Sequence, residues 1–249
     1  MKRPQATPWW PDLSRKVYHA ELMDLPDSDE RQLRRTLRQF PLLNNCFSRT
    51  RFLLDRYLIR DMQRRGLSQA RVLDVGAGGG DIARYLVRRS GRTAGVRVSV
   101  DCCEADPRVA AFARQACASF DSIRVLERSV FDLDGPPYDY IINNHFLHHL
   151  REEQLTSFLD YSRNMCSGLL LCNDLERSRR SYLAYRALAP IILRDSFAAY
   201  DGALSIRRAY VVPELTSLVE QSSWAGSARV GRIEPGRVFI LGRVNGLVA

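Results

Sequence analysis

The chain has no C-x-x-C pair, no apolar run near the ~18 residues a bilayer crossing needs, no repeat and no low-complexity tract. Its opening stretch, MKRPQATPWWPDLSRK, holds no apolar signal-peptide core. The six cysteines, Cys46, Cys102, Cys103, Cys117, Cys166 and Cys172, lie in apolar or helical stretches. These features predict a soluble, cytoplasmic protein with reduced thiols, no disulfide and no bound metal. Histidine is scarce as well: there are four, and three of them fall within residues 145–149.

What is present fits a globular chain. Of 249 residues, 45% are hydrophobic, enough for one large α/β domain with a small cap. The formal charge of +9 comes almost wholly from arginines spread along the chain rather than clustered. That distribution speaks against a nucleic-acid partner, which calls for a basic stripe or patch.

The most informative stretch is Val72-Leu73-Asp74-Val75-Gly76-Ala77-Gly78-Gly79-Gly80-Asp81. It reads as a strand running through a glycine turn into a helix. Glycine can take positive φ and lets a backbone approach a ligand closely, so the run predicts a nucleotide-type pocket at a helix N-terminus. The plainer alternative is a glycine turn used only for tight packing. The dinucleotide spacing G-x-G-x-x-G would need glycine at 81, where the chain has Asp81.

Around this turn, strands and helices alternate. Helical spacing covers residues 30–65, with Leu33, Leu37 and Phe40, then Phe52, Leu53, Tyr57 and Leu58, and Gly66 ends it. Strands are expected at 71–75, 96–100, 123–126, 138–143 and 168–172, with helices from 81, over 107–118 and from about 152. The runs 228–233 and 237–241, separated by Glu234-Pro235-Gly236, read as a hairpin. The prediction is a Rossmann-like α/β fold. It has a seven-stranded, mostly parallel sheet covered by helices on both faces, and an antiparallel hairpin at the C-terminal end. A helical cap is expected over 1–66 and the main domain over 67–249, with a lid insertion at 174–212.

The pattern D-x-G-x-G-x-G at 74–80 resembles motif I of class I S-adenosylmethionine (SAM)-dependent methyltransferases. The resemblance implies SAM as cofactor, held by Asp74, Gly76, Ala77, Gly78, Gly80 and Asp81. It also implies an acid at the end of the second strand that accepts both ribose hydroxyls. Glu104, with Ala105, fits the pattern of acid, two residues and proline; Asp101 is the second candidate, and Asp106 suits an acidic helix start. Asp132 stands where such enzymes meet the adenine amino group, or is a solvated loop acid. Asn143 and Asn144, at the end of the fourth strand, close the cofactor set. Arg51 is a further candidate, for the SAM carboxylate.

The fourth strand runs into His145-Phe146-Leu147-His148-His149-Leu150. Base-methylating enzymes place an Asn/Asp-Pro-Pro-aromatic motif there, or use a Pro-Cys pair, and this chain has neither; Gly135-Pro136-Pro137-Tyr138 precedes the strand. His145 and His148 are the candidate catalytic bases, and on a helical reading they share a face; the alternative is capping or core histidines. Tyr182, Tyr185, Phe197 and Tyr200, with Leu188, Ile191 and Ile192, form either a lid over an apolar acceptor or ordinary packing, and Arg207 and Arg208 either bind an acidic acceptor group or salt-bridge the lid.

Nearly the whole chain is similar to bacterial small-molecule methyltransferases found beside polyketide and quinone pathways, although Ser48 and Arg49 stand where such enzymes carry glycines. The expected function is O-methylation of a phenolic, quinonoid or polyketide-like small molecule in secondary metabolism, by a protein that forms a homodimer if it associates at all. The alternatives are C- or N-methylation, another SAM-dependent reaction such as cyclisation, or a non-catalytic SAM-binding subunit.

Overall fold

A computed structural model describes residues 8–244; residues 1–7 and 245–249, at the outer ends of the two expected domain ranges, lie outside the described residues. Seven strands form one sheet: β1 (Gln69–Val75), β2 (Arg97–Glu104), β3 (Ile123–Glu127), β4 (Tyr138–Asn144), β5 (Cys166–Leu175), β6 (Ala228–Ile233) and β7 (Arg237–Arg243). Their order is β3-β2-β1-β4-β5-β7-β6. Strands β1 to β5 pair in parallel, and β7 runs antiparallel to both β5 and β6. The expected α/β sheet and terminal hairpin are therefore present, with β7 inserted between β5 and β6. Strand order reverses between β1 and β4, so the ligand crevice of an open α/β sheet belongs at their carboxyl ends.

Alternation along the strands explains the two covered faces. Leu73, Val75 and Ile141 point into one core with Leu155, Phe158 and Leu159 of α6 (Glu152–Met165) and Leu215 and Leu218 of α9 (Val212–Glu220). Val72, Tyr140 and Ile142 point into the other, with Leu53 of α2 (Thr50–Leu53), Leu54 and Leu58 of a π-helical segment, Met62 of α3 (Arg60–Arg64), and Ile82 and Leu86 of α4 (Asp81–Ala94).

Several strands run beyond their expected ends. β2 continues to Glu104 and β5 to Leu175, because each keeps its ladder partners beyond the apolar run from which it was read. α5 (Pro107–Cys117) starts with proline, whose missing N–H costs nothing in a first turn.

Three further helices surround the carboxyl edge of the sheet. α1 (Glu30–Cys46) packs Leu33 and Leu37 against Val109 of α5 and Phe197. α7 (Arg179–Ile192) and α8 (Ala198–Arg208) meet through Tyr182, Ala203 and Ile206. Among the described residues, no helix is long and apolar enough to cross a membrane.

Candidate active site

Three of the four glycines in the turn have positive φ and different duties. Gly76, Gly78 and Gly80 have φ of 64°, 52° and 68°. A Cβ on Gly76 would lie 2.8 Å from the Phe146 ring, and one on Gly80 would lie 2.7 Å from Cys117 Sγ. A Cβ on Gly78 would meet nothing within 4 Å. Two glycines therefore serve packing, and Gly78 alone faces open space. The N–H groups of Gly76 and Ala77 donate to Cys103 O at 2.9 and 3.2 Å, which ties the turn to β2.

Three carboxylates surround this turn. Asp74, at 2% exposure, has Oδ2 without a hydrogen-bond partner. Burial, with Asp81 and Glu104 nearby, pushes its pKa well above the usual carboxylate range. Asp81 opens α4 and accepts from Asn44 Nδ2 at 3.2 and 3.1 Å; burial raises it as well. Glu104 accepts from the N–H of Gly78 at 3.1 Å and of Asp106 at 3.0 Å, and burial raises it despite these bonds.

The competing acids are engaged elsewhere. Asp101 accepts from Arg124 at 2.9 and 2.8 Å and from Tyr138 Oη at 2.8 Å, and Asp106 caps α5 by accepting from Arg108 N at 2.8 Å. Buried acids of one sign, one with an orphaned oxygen, beside a turn that opens at Gly78 match a ligand that brings an ammonium and hydroxyl donors.

A cavity of about 730 Å³ runs from this turn to the inner face of α7 and α8. Asp74, Gly76, Ala77, Gly78, Asp81, Glu104, Ala105, Asn144, His145 and His148 all line it. Gly80, Asp132 and Asn143 are not among the lining residues. Asp132 is exposed, on a 3₁₀ turn where Ser129, Val130 and Phe131 form the wall instead. Asn143 is buried and donates to Cys172 Sγ at 3.0 Å. Arg51 donates to Asn45 Oδ1 at 2.6 Å, off the wall.

The histidine stretch is not helical in the way its spacing suggests. His145 has φ of 60°, and only Leu147–His149 form a 3₁₀ turn. Nδ1 of His148 is 2.8 Å from Asp174 Oδ1, and its Nε2 is 3.4 Å from Glu21 Oε1. Burial alone would lower its pKa, but Asp174 and Glu21 lift it to about 9. Those two acids fall below their usual range against the cost of burial: Asp174 through His148, and Glu21, to about 2, through His149, then His148 and Arg208. His145 is different: Nε2 is 3.2 Å from Arg237 Nη1, and burial, then Arg237, depress its pKa well below normal. Neither ring therefore presents a free basic nitrogen.

Glu21, His148 and His149 can bring ligand atoms within 4.8 Å of one another. A guanidinium already fills that role. Arg208 Nη1 is 3.2 Å from Glu21, and its Nη2 is 3.3 Å from His149 Nδ1.

The aromatic stretch divides between the two expected roles. Tyr185, Leu188 and Ile192 line the cavity, Tyr182 and Phe197 are buried in helix packing, and Ile191 is exposed. Of the two arginines, Arg208 forms salt bridges with Glu21 and Asp24.

Sequence reasoning missed Glu21, Asn44, Thr50, Asn173, Asp174 and Arg237. Asn144 Oδ1 accepts from Thr50, Asn173 and Arg237 at 2.7, 3.0 and 3.0 Å, and its Nδ2 donates to Asn44 at 2.9 Å. Isolated polar residues far apart in the chain carry no local pattern that would find this network.

Comparison with known proteins finds a domain match and a shared fold. Residues 73–168 match a family model described as a methyltransferase domain. No curated protein matches the sequence. Among solved structures, the plantazolicin methyltransferase BamL, in complex with a triazolic desmethylPZN analog and SAH, superposes with TM-score 0.63 at 12% identity, covering 87% of this chain and 96% of that one. A SAM-dependent methyltransferase from Aquifex aeolicus gives 0.57 at 17% identity, covering 85% and 98%. The magnesium protoporphyrin IX methyltransferase ChlM from Synechocystis PCC 6803 with bound SAH gives 0.50 at 12%, covering 75% and 79%. These likenesses show the fold. Residues 73–168 thus carry the likeness to a methyltransferase domain, on a fold that SAM-dependent methyltransferases share.

Proposed function

We propose that this methyltransferase O-methylates a phenolic, quinonoid or polyketide-like small molecule. The observation that carries the reading is the continuous cavity of about 730 Å³, acidic at the glycine turn and walled by Tyr185, Leu188, Ala189 and Ile192 at its far end. A largely apolar cavity with a few convergent polar groups suits a small, flat, apolar acceptor. BamL and ChlM, whose names assign them to plantazolicin and a magnesium porphyrin, are compatible with such a class on this fold.

SAM, when bound, supplies a methyl group on a positively charged sulfur. Asp74, Asp81 and Glu104 are the residues that would hold it, with Gly78 admitting its close approach. Asn144 and His145, at and just after the end of β4, line the same cavity. Residues 1–66 are read as a cap and 174–212 as a lid whose helices exclude water from the acceptor.

Holding an acceptor oxygen in line with the methyl is the main service such a chamber renders. Near-attack alignment can supply roughly 7–11 kcal/mol, against about 10²- to 10⁴-fold from a general base. Because His145 faces Arg237 and His148 is held between Asp174 and Glu21, both are assigned to positioning.

The test is incubation with methyl-labelled SAM and a panel of phenols and naphthoquinols, followed by identification of the labelled product. A methyl ether is expected. Label on carbon or nitrogen would replace the reading, and tight SAM binding with no turnover across the panel would favour a non-catalytic subunit.

A further inference from the structure

Arg237 is the first residue of β7, and it is 2% exposed. It lines the cavity beside His145 and Gly236. Its Nη1 is 3.2 Å from His145 Nε2, its Nη2 donates to Asn144 Oδ1 at 3.0 Å, and its Nε has no partner. Both partners are neutral groups, so the charge itself is not paired.

The nearby acids do not change this. Asp174 Oδ1 and Oδ2 are taken by His148 Nδ1 and His148 N at 2.8 and 2.9 Å, and Oδ1 also accepts from Leu175 N at 2.6 Å. Glu21 is occupied by His148 and Arg208. Among the described residues no carboxylate lies within 4.0 Å of the Arg237 guanidinium, whereas Arg177, similarly buried, is bonded to Glu214 at 3.0 and 2.5 Å. A buried, unpaired cation is costly unless an anion joins it. Burial accordingly depresses the Arg237 pKa to about 10, although it remains charged at neutral pH.

We propose that Arg237 binds the reacting oxygen of the acceptor as an oxyanion, a phenolate or enolate, so that the acceptor enters already ionised and no side chain acts as its base. This deepens the reading of the site as an O-methyltransferase and rests on it. A planar guanidinium with a free N–H suits a delocalised oxyanion, and a charge-assisted bond of this kind strengthens in apolar, buried surroundings. The atoms balance without a base. The acceptor proton passes to solvent on binding, one C–O bond forms, one S–C bond breaks, and the sulfur leaves with the electron pair.

His145 gains a role in the same arrangement. Facing Arg237, it keeps the guanidinium turned to the end of β4, and the charged groups that act on it from neighbouring elements are Asp174, His148 and Glu21.

The experiment uses 4-nitrophenol, whose phenolate absorbs in the visible, bound to the full-length protein loaded with SAH so that no turnover occurs. On wild type the bound phenol should titrate about one to two pH units below the free phenol, the worth of one charge-assisted hydrogen bond. Arg237→Met should return that titration to the free value, and Arg237→Lys should keep part of the shift. SAH affinity serves as the control for folding. Nitrophenol that binds wild type with an unshifted titration overturns the proposal, as does an equal shift in Arg237→Met, and the first result needs no variant. If labelled methyl still reaches phenolic oxygen in that case, the O-methyltransferase reading stands alone. If no phenol binds at all, that reading falls and the proposal falls with it.

Discussion

The two ends of the cavity are built by opposite means. At the glycine turn, Asp74, Gly78 and Asp81 lie within eight residues of one another, and Glu104 joins them across one strand pairing. At the other end, Glu21, His148, Asp174, Arg208 and Arg237 come from across the chain. The first end carries acids left without cations. The second is a lattice in which each of these charged groups has an opposite charge within 4.0 Å, except Arg237. On the proposed reading, the contrast separates a surface suited to a charged cofactor from one whose charges pair with one another.

Breaking the second lattice should have the largest effect. His148→Ala leaves Asp174 and Glu21 buried without the imidazolium, and loss of one partner of such a pair costs about 3–5 kcal/mol. Urea unfolding measures this. A cost below about 1 kcal/mol would show that the cluster is not paired in solution. The pH dependence follows from the same group. The His148 pKa is raised from 6.5 unfolded to about 9 folded, so its stabilisation is complete below pH 6.5 and is lost as pH rises towards 9. Wild type should lose a few kcal/mol over that window, and His148→Gln should be flat across it.

The cofactor end should respond in binding. Glu104→Ala removes a charged acceptor at the turn and should weaken SAH binding by about 10- to 100-fold, read by calorimetry. Its unfolding free energy should change little, because Glu104 receives only two backbone N–H groups at that edge. If stability falls as far as in His148→Ala, the distinction between the two ends fails.

The glycines sharpen that distinction within a single turn. Both Gly78→Ala and Gly80→Ala force alanine into positive φ, at about 1–2 kcal/mol each. Gly80→Ala also drives a methyl to 2.7 Å from Cys117 Sγ, whereas Gly78→Ala meets open space. Gly80→Ala should therefore be the less stable by a further ~1 kcal/mol or more, and Gly78→Ala the one that loses SAH affinity.

These same residues show what could be read from sequence. The strand, the turn and the acids at 74, 81 and 104 were legible because strand period, glycine spacing and helix start are all local signals. The sheet followed from their alternation. Strand ends were read short at β2 and β5, where polar residues such as Asp101 and Asn173 keep the ladder going without apolar side chains. Asp132 resembled a site residue by position, yet the 3₁₀ turn leaves it exposed. Arg237 was invisible as a functional residue because its partners, Asn144 and His145, are 93 and 92 positions away. Nothing in a hairpin strand announces a buried charge.

The smallest effect asks whether the far wall acts on the acceptor alone. Tyr185 lines the cavity from α7, its Oη donates to Ala198 O of α8 at 2.6 Å, and its ring lies directly against Gly202. Tyr185→Phe keeps the ring and removes one neutral hydrogen bond, worth about 1 kcal/mol, while orphaning a carbonyl between the two helices. The helices should then hold the acceptor less firmly, so its KM should rise a fewfold while the SAH dissociation constant stays within twofold. Nothing at the glycine turn touches this bond; Asp81 takes its partner from Asn44 and Glu104 from the backbone instead. An equal loss of SAH affinity in Tyr185→Phe would mean that α7 and α8 transmit to the turn through the shared cavity, and that the two ends work as one unit.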